Sequence, residues 1–165
     1  LLADLAVHKL DIVIADSPMP ANIDVRGYNH LLGECGVTFF ATDELAKEYG
    51  QGFPKSLDGA PFLMPGEDAA VRPRLIRWFE KAKVRPRIIG EFDDGALLQA
   101  FGAAGKGIFA APSAVAEQIK KQYGVTEIGR TTLVTEQFYA ISVERQLTHP
   151  AVVAISSAAR ESLIR

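Results

Sequence analysis

The segment PRIIGEFDDGALLQAFGAAGKGIFAAP, residues 86–112, decides the fold because it predicts a strand, a helix and a second strand. Its first apolar pair gives way to Asp93 and Asp94, either of which suits the N-cap of a helix. Apolar residues at helical spacing follow, two glycines end the helix, and a short apolar run closed by Pro112 is typical of a buried strand. We therefore expect one right-handed β-α-β unit with parallel strands.

The composition is that of a globular protein. The 165 residues are 48% hydrophobic and 23% charged, and the net charge is −2. The sequence has no apolar run of about 20 residues that would cross a bilayer, and no basic stripe that would neutralise nucleic-acid phosphates. The single cysteine fits a reducing compartment, so we expect a cytoplasmic protein without membrane contact. Because the sequence begins with Leu1 inside a helical pattern, we expect a fragment of a longer chain.

Helical and strand patterns alternate along the chain, which predicts an α/β fold with mostly parallel sheets. Among the helices we expect one at 68–83 and one at 113–123, the second with Ser113 as its N-cap. Two loosely patterned stretches, 19–33 and 129–135, bracket the middle of the chain and predict crossovers between two subdomains. A cleft between two such halves is a usual place for a small molecule.

The sequence lacks the motifs of common enzymes. There is no nucleophile elbow, Walker loop or zinc-protease motif, and the three histidines are far apart. The glycine-rich run at 102–107 follows a helix and precedes a strand, whereas a phosphate loop does the reverse. No acid–base pair or catalytic nucleophile can be assembled, so we expect no enzyme and favour a binding module.

Acidic residues follow three of the predicted strands. Asp93 and Asp94 lie where a strand gives way to a helix, Asp16 follows another strand, and Glu67 follows a third. Ligands of open α/β sheets bind at this edge, and oxygen-rich loops suit a hard cation. The alternative for each acidic residue is a helix cap or a solvated loop.

Basic residues recur on the outer face of the helix predicted at 68–83. Arg72, Arg74 and Arg77 are the members of this group. Their pattern indicates a solvated face, or else contact with a partner or an acidic neighbour.

Three segments together resemble the LysR-type transcriptional regulators. They are LDIVIA at 10–15, GAAGKGIFAAP at 102–112 and THPA at 148–151. Four further segments resemble a branch of that family that activates Na⁺/H⁺ antiporter genes in response to sodium. These are HKLD at 8–11, GECGV at 33–37, GEFDD at 90–94 and AFGA at 100–103.

The resemblance implies a regulatory, effector-binding domain like a type II periplasmic binding protein, with two Rossmann-like subdomains joined by two crossovers. Subdomain I would comprise residues 1–24 and 134–165, and subdomain II residues 25–133. The N-terminal strand, helix and strand of the complete domain would be absent, together with the DNA-binding domain that precedes them. An alternative is a periplasmic-type solute-binding protein of the same fold.

The resemblance also implies a switch, in which an effector binds one state of the domain better than another. The candidate effector-binding residues are Asp16, Ser17, Glu34, Met64, Glu67, Asp93, Asp94 and Phe109. Sodium would be the effector, with Asp16, Asp93 and Asp94 as its candidate ligands, and we expect no other cofactor. The implied partners are further copies of the protein in a homodimer or tetramer, promoter DNA through the absent domain, and RNA polymerase.

Overall fold

The chain divides into two compact units in the computed structural model, which describes residues 1–22 and 26–163. Unit 1 comprises Leu1–Cys35 and Gln137–Arg165, and unit 2 comprises Gly36–Glu136. The chain enters unit 2 inside strand β2 (Tyr28–Ala41) and leaves it inside strand β6 (Thr126–Ser142). The boundary expected between 24 and 25 falls outside the described residues, and the one between 133 and 134 lies within β6.

Unit 1 is built around a short antiparallel pair. Besides its parts of β2 and β6, the unit contains helix α1 (Leu2–Ala6), strand β1 (Val13–Ala15) and helix α6 (Pro150–Leu163). In the pairing of β1 with β6, Val13 lies opposite Ile141 and Ala15 opposite Tyr139. Leu5, Val13 and Ile141 form the buried centre of this unit, so the predicted first strand is confirmed as a core element.

Unit 2 is built around strand β3 (Pro61–Pro65). Helix α3 (Arg72–Ala82) connects β3 to β4 (Arg87–Phe92), and the two strands pair in parallel. The remaining elements of the unit are α2 (Asp43–Tyr49), α4 (Gly95–Ala103), β5 (Phe109–Pro112) and α5 (Ala116–Tyr123). The predicted alternation of helices and strands is therefore observed in this unit.

The segment 86–112 forms β4, α4 and β5, as expected. Its two strands do not pair with each other, because β3 lies between them. A parallel bridge joins Phe62 of β3 to Ile108, just before β5, with both N–O distances 2.8 Å. β3, which precedes this segment in the sequence, therefore lies between the two strands of the expected parallel unit.

The expectation of mostly parallel sheets is wrong. β5 is antiparallel to β2, β1 is antiparallel to β6, and these four strands have the order β1-β6-β2-β5. The two passages between the units occur next to the stretches expected to be crossovers, 19–33 and 129–135, but the chain makes them as strands, inside β2 and β6. Residues 28–31 of β2 and 129–133 of β6 are mostly exposed or half-buried, so these stretches lack the apolar run that would mark a strand.

Helix ends differ from the sequence expectations at two places. Helix α3 begins at Arg72 rather than near 68, with a proline in its first turn. Ser113 does not cap α5, because a 3₁₀ turn over Ser113–Val115 precedes that helix. The Ser113 hydroxyl instead lies 2.8 Å from the hydroxyl of Thr38 on β2, where two side chains satisfy each other's hydrogen-bonding groups.

The core of unit 2 lies on both faces of β2, since successive side chains of a strand point to opposite faces. Phe39 stacks on Trp78 of α3, with ring centroids 5.3 Å apart, in a cluster with three further aromatic rings. Phe40 stacks on Phe109 of β5 at 5.4 Å in a second cluster. These clusters fix α3 and α4 on the sheet and so position the turns that follow the strands.

Candidate functional site

The acidic turns after β3 and β4 lie side by side in unit 2. Pro65, the last residue of β3, is in register with Phe92, the last residue of β4. The Gly66 N–H then donates a hydrogen bond of 2.7 Å to the Phe92 carbonyl, which ties the two turns together. Glu67 and Asp93 therefore follow adjacent parallel strands at the same edge, as the sequence predicted. We call this the acidic edge.

Asp93 and Asp94 have different roles at the acidic edge. The Asp94 carboxylate accepts a hydrogen bond of 2.8 Å from the Leu97 N–H and is the N-cap of α4. The Asp93 carboxylate covers Gly66 so closely that a Cβ added to this glycine would lie 1.9 Å from Asp93 Oδ1. The predicted cap is thus confirmed for Asp94. Gly66, which the sequence analysis did not single out, is the residue that admits Asp93.

Arg72 joins the ends of the two strands. Its guanidinium donates 2.7 Å and 3.0 Å hydrogen bonds, to the Pro65 carbonyl and to Glu91 Oε1 respectively. The bond to Glu91 raises the pKa of Arg72, with Glu67 adding to the effect by its charge. A fixed cation therefore stands beside the acidic edge, and for Arg72 the acidic-neighbour interpretation is correct.

The candidates of unit 1 lie on two strands or their ends. Asp16 and Ser17 follow β1, are exposed, and lie 3.4 Å apart between the serine hydroxyl and Oδ1 of the aspartate. Glu34 lies within β2 and is exposed, and its carboxylate accepts a 2.8 Å hydrogen bond from the side-chain amide of Gln137. These side chains present oxygen atoms to solvent.

Met64 and Phe109 occupy core positions in unit 2. Met64 is 4% exposed, and Phe109 is fully buried against Phe40. Both lie on strands that are covered on both faces, so the side chains that the sequence analysis assigned to an effector are used in packing. Exposed polar atoms for a ligand come from the turns that follow these strands and not from Met64 or Phe109 themselves.

No ready-made metal cluster accompanies the acidic edge. Within residues 1–22 and 26–163, no three His, Cys, Asp or Glu side chains are grouped so that they could hold a metal ion. The proposed sodium ligands divide between the units, Asp16 in unit 1 and Asp93 and Asp94 in unit 2. Across the same described residues, no helix is long and apolar enough to span a membrane.

Comparison with known proteins identifies relatives over almost the whole chain. The transcriptional activator protein NhaR of Escherichia coli K12 is 38% identical over 152 residues, which are 92% of this chain and 50% of that protein. The chain therefore spans about half the length of this curated relative.

Solved structures of regulatory proteins share the fold. CbnR, a LysR family transcriptional regulator, matches with a TM-score of 0.71 at 15% identity, over 96% of this chain and 54% of that chain. The regulatory domain of CcmR from Synechocystis PCC6803, solved with 2-PG, gives 0.65 at 13% identity over 98% and 77%. Such relatives are transcriptional regulators and not enzymes, in line with the sequence prediction. The family model described as the LysR substrate binding domain matches residues 1–163, and this chain belongs to that family.

Proposed function

We propose that this chain is the effector-sensing part of a LysR-type transcriptional activator that responds to Na⁺ and controls expression of Na⁺/H⁺ antiporter genes. The observation that carries the proposal is the 38% identity to the activator NhaR over 92% of the chain. The complete protein then works in the cytoplasm as a homodimer or tetramer. It contacts promoter DNA through an upstream domain, and RNA polymerase is a further partner.

The effector acts by shifting a conformational equilibrium. A ligand changes the populations of two states only to the extent that it binds one of them more tightly. The domain needs no chemical step for this, in keeping with a family of regulators. In this proposal Na⁺ is the effector and not a permanent cofactor.

The acidic edge supplies oxygen atoms of the kind that hard cations prefer. Asp93 and Glu67 are exposed there, and Asp94 uses one carboxylate oxygen for its cap and keeps the other. Arg72 places a positive charge beside the same edge, so a bound cation must compete with it. A sensor of a common ion must bind that ion weakly, so that the ion dissociates when the Na⁺ concentration falls. Asp16, Ser17 and Glu34 are the proposed contributors from unit 1.

A reporter measurement tests the function. The complete natural protein that contains this chain is expressed in cells that lack their own copy, with an antiporter-gene promoter driving a reporter. NaCl is compared with KCl at equal concentration, and the proposal expects induction by NaCl alone. Equal induction by both salts would show a response to ionic strength or osmolarity and would refute the sodium proposal.

Matched variants test the residues. Asp93→Asn removes the charge at the acidic edge, and Asp94→Asn removes a charge but keeps a good N-cap. Both should require more Na⁺ for half-maximal induction. Glu44→Gln is the control, because Glu44 is exposed in the first turn of α2 and makes no contribution to the acidic edge. An unchanged Na⁺ response in both aspartate variants would leave Asp94 as a helix cap only.

A direct binding measurement distinguishes Na⁺ binding by the regulatory domain from the coupling of that binding to DNA. Isothermal titration of the complete regulatory domain with NaCl, against KCl at the same ionic strength, should give a saturable signal for Na⁺ only. Binding without a reporter response would place the fault in the coupling to DNA. A reporter response without binding would place the sodium sensor elsewhere in the protein.

A further inference from the structure

A cavity of about 380 Å³ lies in unit 2, apart from the acidic edge. Its walls are formed by helix α3, by Pro54 and by the middle of strand β6. The side chains that matter are those of Pro54, Arg74, Arg77, Trp78, Lys81 and Leu133. Its volume is within the roughly 300–1,000 Å³ typical of small-molecule sites.

One wall of the cavity is a stripe of helix α3. Arg74, Trp78 and Lys81 follow one another at intervals of four and three residues, and Arg77 lies beside them, so all four side chains lie on one side of the helix. Trp78 is held in place by stacking on Phe39 at 5.3 Å, and only 7% of it is exposed. The wall is therefore rigid at its aromatic centre.

The cavity is positively charged. Among the residues that the structure describes, none of those lining it is acidic. Arg74 donates a hydrogen bond to the Thr135 carbonyl, which fixes its guanidinium on the β6 side of the cavity. Arg77 and Lys81 are exposed, and in the part of the chain that the structure describes neither forms an ion pair. Two cations on one helical turn repel each other, so an anion between them would be stabilised.

The opposite side of the cavity is apolar. Leu133 of β6 is 81% exposed, more than any other large hydrophobic side chain of the described residues, and Pro54 is half-buried next to the cavity. A single exposed leucine needs no explanation, but here it faces a cavity whose other wall carries cations. Covering Leu133 with an apolar group would be favourable, at about 25 cal/mol for each Å² removed from water.

We propose that this cavity binds a small organic anion with an apolar body, such as an aliphatic or aromatic carboxylate. Arg77 and Lys81 hold the carboxylate, Arg74 adds positive potential, and Leu133 and Pro54 cover the apolar body above Trp78. The volume suits a small molecule, and the apolar side distinguishes the ligand from inorganic phosphate. The site is a second ligand site of the domain, and it does not depend on the sodium proposal.

Trp78 provides the measurement, because it is the only tryptophan of the chain. The chain is titrated with hexanoate while Trp78 fluorescence is recorded, and isothermal titration calorimetry gives a second, independent signal. Hexanamide tests the charge, and inorganic phosphate tests the apolar body. We expect saturable binding of hexanoate, with hexanamide and phosphate each at least about tenfold weaker, the loss expected when one charge-assisted contact or the apolar contact is missing.

Variants locate the site. Arg77→Gln and Lys81→Gln should each weaken hexanoate binding by about five- to tenfold, and Leu133→Ser should weaken it by about threefold. Lys121→Gln is the control, because Lys121 is an exposed lysine of α5 outside the cavity, and its variant should bind as the natural sequence does. All four positions are on the surface, and circular dichroism checks that each variant keeps its fold.

Several outcomes would overturn the proposal. Equal affinity for hexanamide would show that the cations do not recognise the ligand, and equal affinity for phosphate would show a general anion site. Loss of binding in Lys121→Gln to the same extent as in Arg77→Gln would show non-specific attraction. The absence of both heat and a fluorescence change with hexanoate, while an acidic peptide binds, would assign the cations to a protein partner instead.

Discussion

Gly102→Ala should destabilise unit 2, although the same change usually stabilises a helix. Gly102 lies near the end of α4 and is buried against β5. A Cβ built at this position would lie 2.2 Å from Cδ1 and 2.4 Å from Cε1 of Phe109. Phe109 is fully buried and stacked on Phe40, so its ring has no free space into which it could move.

The sign of the effect follows from two opposing magnitudes. Replacing glycine by alanine within a helix gains up to about 1 kcal/mol. Forcing an extra carbon into a filled core costs roughly 1–3 kcal/mol. Since the contact is far inside van der Waals distance, the upper part of that range applies. We expect a net loss of about 1–2 kcal/mol in the free energy of unfolding, and a melting temperature lower by roughly 2–4 °C for each kcal/mol.

Urea unfolding, followed by circular dichroism, measures this loss. Gly95→Ala is the matched control, because Gly95 begins the same helix and a Cβ there would meet nothing within 4 Å. That variant should be as stable as the natural chain, or slightly more stable. The double variant Gly102→Ala, Phe109→Leu should lose less stability than the sum of the losses of the two single variants, because the smaller side chain relieves the clash. A Gly102→Ala variant as stable as Gly95→Ala would refute the close packing of α4 on β5.

Two further predictions concern charged groups of unit 2. Asp94→Ala should lower the free energy of unfolding by about 1 kcal/mol, whereas Asp94→Asn should lower it much less, because asparagine also caps helices; urea unfolding of both variants compares them. Glu127 accepts two 2.7 Å hydrogen bonds from Arg130, and they lower the pKa of this carboxyl below its ordinary 4.5. A lowered folded-state pKa stabilises the fold above about pH 4.5, and the gain is lost as the pH falls through the folded value. Glu127→Gln should therefore lose at most about 1 kcal/mol at pH 7 and almost nothing near pH 2, and a difference that grows on acidification would contradict this assignment.

Local signals in the sequence predicted the elements that depend on neighbouring residues. Asp94, one of the two residues expected to cap its helix, accepts a hydrogen bond from the residue three positions later, as does the N-cap Thr42 of α2. The helix predicted at 68–83 is likewise present as α3, and its buried residues Leu75, Trp78 and Phe79 recur at helical spacing. Such features need only the spacing of residues within one helix or turn.

Features that depend on distant residues escaped prediction. The position of β3 between β4 and β5 requires the bridge from Phe62 to Ile108, which are 46 residues apart by their numbers. The exposed parts of the long strands β2 and β6, residues 28–31 and 129–133, were not predicted as strand because they carry no apolar periodicity. These strands are hydrogen-bonded neighbours in the sheet, and backbone pairing of this kind leaves no apolar pattern in the sequence.

In the candidate site, too, features set by neighbouring residues were predictable and features set by distant residues were not. The acidic edge was predictable, because turns that follow parallel strands share one edge of a sheet. Whether an apolar strand residue such as Met64 or Phe109 faces a ligand or the core was not predictable, because both environments select the same residue types. The bond from Arg72 to Glu91 depends on the register of α3 over β4, which no local pattern reveals.

The basic residues of α3 show how one run of like charges takes two roles. At 3.6 residues per turn, Trp78, Arg77 and Lys81 lie roughly 140–240° around the helix axis from Arg72. Arg72 therefore faces the acidic edge, where Glu91 and the Pro65 carbonyl engage it, while the opposite side of the helix carries cations over an apolar-walled cavity. If these cations were only a solvated face, Arg77→Gln and Arg72→Gln would differ only in stability, and Arg72→Gln would be the costlier because it breaks two hydrogen bonds. Hexanoate binding that is weakened in Arg77→Gln and unchanged in Arg72→Gln would instead show that the two sides of α3 are functionally distinct.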